Sequence, residues 1–255
     1  MICCIAGMHR SGTSLTAAWL QACGLVISDG PTLPPHPDNP KGYFEDDAFV
    51  QLHIRSINRR RRSAYGWKLA PTHSLTFSGV EEGIATELIA IRQARYTDWG
   101  WKDPRSLLFL PAWKRLIPDL KVLVVWRSAH EVAFSLWSRW RRRRNRRAWV
   151  DPWQALRLWR AHNLRAYEYA TAYPQDTVVL SIKAILQNDQ AVLTHLNERF
   201  HGALHPVSVQ TLYDADLMHG AQTPLWMKGA SQLSGCHTIE RRLQSLAGGV
   251  GQSAI

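Results

Sequence analysis

Three observations predict an α/β fold with a mostly parallel sheet covered by helices on both faces. Short apolar, β-prone runs alternate with longer helical patterns along the chain. The first of these runs passes at once into a glycine-bounded loop and then a helix, "IAGMHRSGTSLTAAWL" at residues 5–20. A later run, "DLKVLVVWR", is continuously apolar from Val122 to Trp126, as a strand buried on both faces is.

The elements follow in order. "MICCIA" is the first strand. "TSLTAAWLQACG" is a helix with Leu15, Ala18, Trp19 and Cys23 on one face and Gly24 at its end. Residues 29–44, "DGPTLPPHPDNPKGYF", hold five prolines and two glycines and form a loop. "EDDAFVQLHIRSINRRRR" carries acids first and bases last, the order a helix dipole favours. Residues 80–95 are a further helix. After the strand ending at Arg127, helices are predicted from His130 to Arg144 and from Pro152 to Tyr169. The second of these has Leu156, Trp159, Ala166 and Ala170 on one side. "DTVVLSI" is a third strand and "KAILQNDQAVLTHLNERF" one more helix. Beyond about residue 202 the signal weakens, and residues 245–255 read as a flexible tail. Neither a repeat nor a boundary interrupts the chain, so residues 1–255 are expected to form a single domain.

The chain of 255 residues is long enough for one large α/β domain, and 45% of it is hydrophobic. A net charge of +11 favours anionic partners: a nucleotide, a nucleic acid, an acidic glycan or a membrane surface. Cys3, Cys4, Cys23 and Cys236 lack the spacing of a disulfide framework or a zinc site, which implies a reducing, cytoplasmic setting. The apolar N-terminal run is too short for a signal peptide, and no apolar run is long enough to span a membrane.

A strand, then "GMHRSGTS", then a helix is the layout in which backbone N–H groups and a helix N-terminus bind an anion. Gly7 and Gly12 allow close backbone approach, and Thr13 and Ser14 add hydroxyls. Against the pattern G-x-x-x-x-G-K-[ST], Thr13 stands where the lysine belongs, and a cation appears inside the loop at Arg10. The second strong strand ends in Trp126-Arg127, where a P-loop kinase or hydrolase places a magnesium-binding aspartate. Downstream, "RSAHEVAFSLWSR" puts Ser135 eight residues after Arg127 and Arg139 one helical turn later. Arg127 falls at the carboxyl edge of its strand, the usual ligand side of an open sheet. The trio therefore offers a second phosphate site. Read alone, the first loop is also compatible with a surface turn, and Arg139 with a solvated helix charge.

Together these motifs resemble the sulfotransferases that use 3′-phosphoadenosine 5′-phosphosulfate (PAPS). "GMHRSGTSLT" is similar to their 5′-phosphosulfate loop, and "RSAHEVAFS" to their 3′-phosphate motif. The resemblance covers residues 1–200 and is closest to the bacterial and tyrosylprotein or carbohydrate branches, whose loop cation is arginine. It implies a P-loop kinase-like, three-layer fold with a central, mostly parallel five-stranded sheet. It also implies metal-independent transfer of a sulfuryl group from PAPS to a hydroxyl or amine. His9, Arg10, Ser11, Gly12, Thr13 and Ser14 would surround the phosphosulfate, and Arg127, Ser135 and Arg139 the 3′-phosphate. Arg10 would offset charge on the leaving phosphate. In "NPKGYFEDD" the resemblance implies Glu45 as general base; without it, Glu45, Asp46 and Asp47 serve equally as the acidic start of a helix. His9 is the further candidate. In "WGWKDPRSL" it implies Lys102 as a stabiliser of the transferring group, with Asp103 orienting Lys102 or Arg105; without it, "KDPR" is a helix-start ion pair. One departure stands out: related bacterial sequences carry Tyr-Glu-Asp after the last strand, where this chain reads "LSIKAILQND".

The runs "RRRR" at 59–62 and "RWRRRRNRR" at 139–147, with Trp137, Trp140 and Trp149, raise a nucleic-acid reading. The helical spacing of Phe134, Trp137 and Trp140 points instead to a core-facing stripe with arginines outside. The expected partner is a small-molecule, glycan or peptide acceptor, which the arginines would suit if it is acidic. A P-loop small-molecule kinase is the remaining rival.

Overall fold

A computed structural model describes residues 1–30, 32, 42–60, 72–143, 150–213 and 223–247. Its sheet is built from β1 (Ile2–Ala6), β2 (Trp99–Lys102), β3 (Lys121–Trp126) and β4 (Thr177–Ser181). The strand order is β2-β1-β3-β4 and every pairing is parallel. Cys3 lies opposite Gly100, Ile5 opposite Leu123 and Val124 opposite Val179.

Alternation along β1 and β3 divides the core into two layers. Cys4, Ala6, Val122 and Val124 face one cluster, which includes α2 (Asp47–Arg59), α3 (Gly79–Arg95), α4 (Leu110–Leu116), α5 (Ala129–Arg143) and α6 (Pro152–Ala172). Cys3, Ile5, Leu123 and Val125 face the other, which includes α1 (Thr13–Ala22), α7 (Ile182–Gln187) and α8 (Asp189–Phe200). The predicted three-layer α/β architecture is thus present.

Several expectations need correction. Among the described residues the sheet has four strands, not five. Beyond α8, where the sequence signal is weak, the described residues form α9 (Leu225–Leu233) and α10 (Cys236–Leu246). Cys236, Ile239 and Leu243 recur at helical spacing and are buried, and α10 packs on α6 and β4. The expected tail at 245–255 is therefore helical up to Leu246, and residues 248–255 lie outside the described residues. The run read as one helix from Lys183 breaks at Asn188, whose φ of −140° leaves the helical region. In α1 the buried set is Thr13, Thr16, Ala17, Trp19 and Leu20, with Cys23 buried just beyond it, so of the expected face Trp19 and Cys23 are buried while Leu15 and Ala18 are only half-buried.

Strand β2, "WGWK", is absent from the sequence reading because four residues with a central glycine carry almost no strand pattern. Its indoles pack into an aromatic cluster: Phe49 stacks on Trp101 with centroids 4.8 Å apart, and Trp101 lies 4.9 Å from Trp113. This cluster fixes β2 beside β1. Between α1 and α2, residues 31 and 33–41 lie outside the described residues, but the flanks are clamped. Arg92 on α3 reaches Asp29 at 3.0 Å and Asp46 at 2.6 Å, and Thr32 bridges to Asp46.

All four cysteines are free and buried. Among the described residues no helix is long and apolar enough to cross a membrane.

A Cβ added at Gly100 would sit 2.0 Å from the carbonyl oxygen of Cys3, a backbone atom of the neighbouring strand. Gly100→Ala is expected to destabilise the protein by at least about 3 kcal/mol, since β1 and β2 must separate to admit the methyl. Urea unfolding monitored by tryptophan fluorescence measures this; an unchanged midpoint would contradict the close strand pairing.

Candidate active site

Parallel strands deliver their carboxyl ends to one edge of the sheet, and the candidate residues gather there. The first loop joins β1 to α1. Gly7 is obligatory because a Cβ would lie 2.3 Å from the carbonyl of Val125 on β3. Gly12 caps α1 with φ +94°, and a Cβ there would strike Ile182 at 2.5 Å. Arg10 also has a positive φ, 70°, a strained state for a residue with a side chain. Its guanidinium Nε donates to Ser135 Oγ at 2.9 Å. The loop and the Arg127–Ser135 segment, 125 residues apart at this contact, therefore form one site.

Two polar atoms of the loop, His9 Nε2 and Ser11 Oγ, are buried with no hydrogen-bond partner among the described residues. Burial, with Arg105 close by, pushes the His9 imidazole well below its ordinary value, so the ring is neutral. Such atoms require a partner from outside the loop. Thr13 opens α1 and is buried. Ser14 is engaged on two sides: its hydroxyl donates to the carbonyl of Tyr43 at 3.3 Å and accepts from Lys102 Nζ at 3.3 Å.

On the second segment Arg127 directly follows β3, and Ser135 and Arg139 lie one turn apart on α5. Arg127 Nε donates to Glu131 at 3.1 Å, and the Trp159 indole donates to the Arg127 carbonyl at 2.8 Å. Both contacts hold Arg127 in place. The N-terminus of α5 is capped from α10, where Glu240 accepts from the Ala129 N–H at 2.6 Å. Burial raises the Glu240 carboxyl above its ordinary value. Nothing in the weak C-terminal pattern announced that contact.

The third group centres on Glu45. Gly42 and Phe44 both have positive φ, 90° and 52°, and the chain turns there before Glu45. Glu45 Oε1 accepts from Lys102 Nζ at 2.7 Å, and Oε2 faces Arg105 Nη1 at 3.5 Å. Glu45 is 4% exposed and Lys102 1%. The neighbouring acids are committed elsewhere. Asp46 accepts from the Ala48 N–H as the cap of α2 and pairs with Arg92, while Asp47 accepts from Gln51. Helix initiation is thus the role of Asp46 and Asp47, and Glu45 stands apart from it.

Asp103, next to Lys102, accepts from the N–H and Nη1 of Arg105 at 2.9 and 2.8 Å and pairs with His53 Nδ1 at 2.8 Å. Burial raises its carboxyl, but the Arg105 cation and the His53 hydrogen bond outweigh this and hold it far below the usual carboxylate range. Asp103 thus orients Arg105. His53 and the brace from Arg92 escaped the sequence reading: a lone histidine and a lone arginine within helices carry no signal of a distant partner. The departure after β4 also finds its use here. Ser181 caps α7 by accepting from Ala184, and Ile182 packs under Gly12.

Of the arginine runs, Arg59 pairs with Glu81 at 3.0 Å, Arg60 bonds Ser56 and Thr76, and Arg141 lies 4.9 Å over the Trp137 ring. Phe134 and Trp137 pack against the core as the stripe predicts. Arg61, Arg62 and residues 144–149 lie outside the described residues, as do the side chains of Trp140, Arg142 and Arg143.

A parallel sheet whose first strand feeds a glycine loop and a helix at the carboxyl edge defines a P-loop-like α/β protein. Residues 3–201 match the profile of the Sulfotransferase family, and the chain belongs to that family. The solved sulfotransferase domain from the curacin biosynthetic pathway is 14% identical over 93% of this chain and 96% of its own, with a TM-score of 0.56, and shares the fold. The sulfotransferase domain of the Synechococcus PCC 7002 olefin synthase is 15% identical over 92% of this chain and 94% of its own, with a TM-score of 0.49. A comparison with curated proteins gave no match.

The Asp103 carboxylate gives a pH signature. Its folded-state value is depressed, so its contribution to stability is present above the unfolded value of about 4 and fades as pH falls below it. Asp103→Asn removes the nearer of the two carboxylates that face the buried Arg105 and is expected to cost about 3 kcal/mol at pH 7. Urea midpoints should show this gap narrowing below about pH 4. A gap constant with pH would mean that the charge on Asp103 is not its source.

Proposed function

We propose that the protein transfers a sulfuryl group from PAPS to a hydroxyl or amine, without a metal ion. The observation that carries this reading is the 2.9 Å contact between Arg10 and Ser135, which joins the two anion-binding segments into one site. The loop fits a phosphosulfate on the chemistry of its donors. It holds a cation at Arg10, the partnerless buried atoms His9 Nε2 and Ser11 Oγ, and the helix N-terminus at Gly12, Thr13 and Ser14. Arg127, held by Glu131, belongs with Ser135 and Arg139 as the receptor of the 3′-phosphate.

In the reaction Glu45 takes the proton from the acceptor oxygen or nitrogen as that atom bonds to sulfur. The sulfur–oxygen bond to the 5′-phosphate breaks, its electron pair stays on the phosphate oxygen, and Arg10 offsets the charge that develops there. Lys102 has three N–H donors. Glu45 and Ser14 take two, and the third serves a sulfuryl oxygen. The products are adenosine 3′,5′-bisphosphate and a sulfate ester or sulfamate. Arg10, Lys102 and Arg105 supply the positive charge that a metal gives a phosphoryl-transfer enzyme, and Arg127 stands at the strand end where a kinase needs an aspartate. The internal engagement of Arg59, Arg60 and Arg141 weighs against a nucleic-acid role. The four free cysteines support a reducing compartment, the cytoplasm.

Calorimetric titration with adenosine 3′,5′-bisphosphate in EDTA tests the donor site. The wild type should bind it at least tenfold more tightly than AMP, and Ser135→Ala should lose about 1–2 kcal/mol of that affinity. Equal affinity for the two nucleotides would remove the 3′-phosphate site. Glu45→Gln should bind the bisphosphate as the wild type does, while sulfuryl transfer falls on the order of 10²–10⁴-fold.

A further inference from the structure

We infer that His53 is a positioning residue for sulfuryl transfer: by donating to Asp103 it holds Arg105, and through Arg105 the carboxylate of Glu45, in the reactive orientation. The inference rests on the reading of Glu45 as general base. It concerns a histidine on α2 whose hydrogen bonds among the described residues go to Asp103 and Trp113.

The connection is continuous and its direction is fixed by chemistry. The Trp113 indole N–H donates to His53 Nε2 at 2.9 Å. An indole nitrogen can only donate, so His53 Nε2 carries no proton and the ring proton sits on Nδ1. That proton points at Asp103 Oδ2, 2.8 Å away. The other oxygen, Oδ1, receives both Arg105 donors. Arg105 Nη1 then faces Glu45 Oε2 at 3.5 Å, while Lys102 holds Oε1 at 2.7 Å. The order is Trp113 to His53 to Asp103, and from Arg105 onward to Glu45. His53 and Asp103 are both 0% exposed, so water cannot replace a missing donor.

The histidine is itself rigidly seated. Its ring lies 5.1 Å from Phe109, and 6.3 Å from Phe77 in a stacked arrangement. The chain therefore runs from a buried aromatic cluster of the core to a carboxylate at the sheet edge. An aspartate with one oxygen stripped of its donor gains by turning that oxygen toward Arg105, and the turn draws Arg105 off Glu45. His53 prevents this by satisfying Oδ2. A general base must be aimed to a fraction of an ångström, so a small rotation of Glu45 is costly to rate. Arg10, Ser135 and Arg127 lie outside this chain, and binding of the 3′-phosphate should not depend on it.

Two substitutions separate positioning from packing. His53→Asn keeps an N–H on the atom attached to Cγ, where Nδ1 sits, and loses the acceptor for Trp113. His53→Leu fills a similar volume and loses both. Each leaves the Trp113 N–H unpaired, so both should lower the melting temperature; only Leu strips Asp103. Crystal structures of the two variants read the geometry without any activity. The Asn variant should keep both cations on Glu45, and the Leu variant should lose one of them. Sulfuryl transfer to water, read as sulfate released from radiolabelled PAPS well below both melting temperatures, should fall on the order of 10- to 100-fold in His53→Leu. It should stay within a few-fold of wild type in His53→Asn. Affinity for adenosine 3′,5′-bisphosphate should be unchanged in both. A Leu variant with Glu45 and its cations unmoved overturns the inference, as does equal loss of transfer in the two variants. Glu45→Gln is the control for the underlying reading. If it releases sulfate as fast as wild type, the assignment of Glu45 as base fails, whereas the crystallographic comparison still decides whether His53 sets the carboxylate.

Discussion

Strand β1 lies between β2 and β3, and the site depends on this placement. A central parallel strand sends its carboxyl-end loop out between the ends of its two neighbours. On one side the Glu45–Lys102 pair reaches the loop at Ser14, and on the other Ser135 reaches it at Arg10. The approach is close enough that side chains are forbidden at two contacts. Gly7 lies against the Val125 carbonyl and Gly100 against that of Cys3. The backbone itself, more than any side chain, sets the spacing between the three groups of residues.

The charges at this edge are not an efficient way to stabilise a fold. Glu45, Lys102, Asp103 and Arg105 are all buried, and buried ion pairs seldom repay the loss of hydration. Replacing such a network with apolar groups of equal volume is often neutral. What the network does achieve is geometry. Each carboxylate oxygen of Glu45 and Asp103 has an assigned partner, and Arg92 adds a second brace by tying Asp46, the next residue after Glu45, to Asp29. Strain is accepted in the same region, with Arg10 and Phe44 both at positive φ. Strain and desolvation thus fall at the same edge of the sheet as the candidate site.

The part of the chain beyond the family match contributes more than its weak sequence signal implies. Helix α10 packs on α6 and β4, and its Glu240 caps the helix that carries Ser135 and Arg139. The departure from the related bacterial pattern after β4 is likewise absorbed locally. Ser181 performs the capping and Ile182 fills the space under Gly12. These are packing solutions, and packing can be met by many side chains.

By itself the sequence determined the alternation of strands and helices, the glycine loop with its internal arginine, and the Arg127–Ser135 spacing. All are local: each depends on residues within a dozen positions, where periodicity, backbone conformation and helix spacing act directly. It left β2 hidden, since "WGWK" becomes a strand only through indoles packed on Phe49 and Trp113. It left Glu45 undivided from Asp46 and Asp47, since three consecutive acids look alike until Arg92 and the start of α2 claim one and Lys102 another. It gave no hint of His53, whose partners lie 50 and 60 residues away. Tertiary structure decided these because a buried charge acquires its role from whatever is brought within about 3 Å of it. That pairing is a property of the folded core, and no spacing along the chain encodes it.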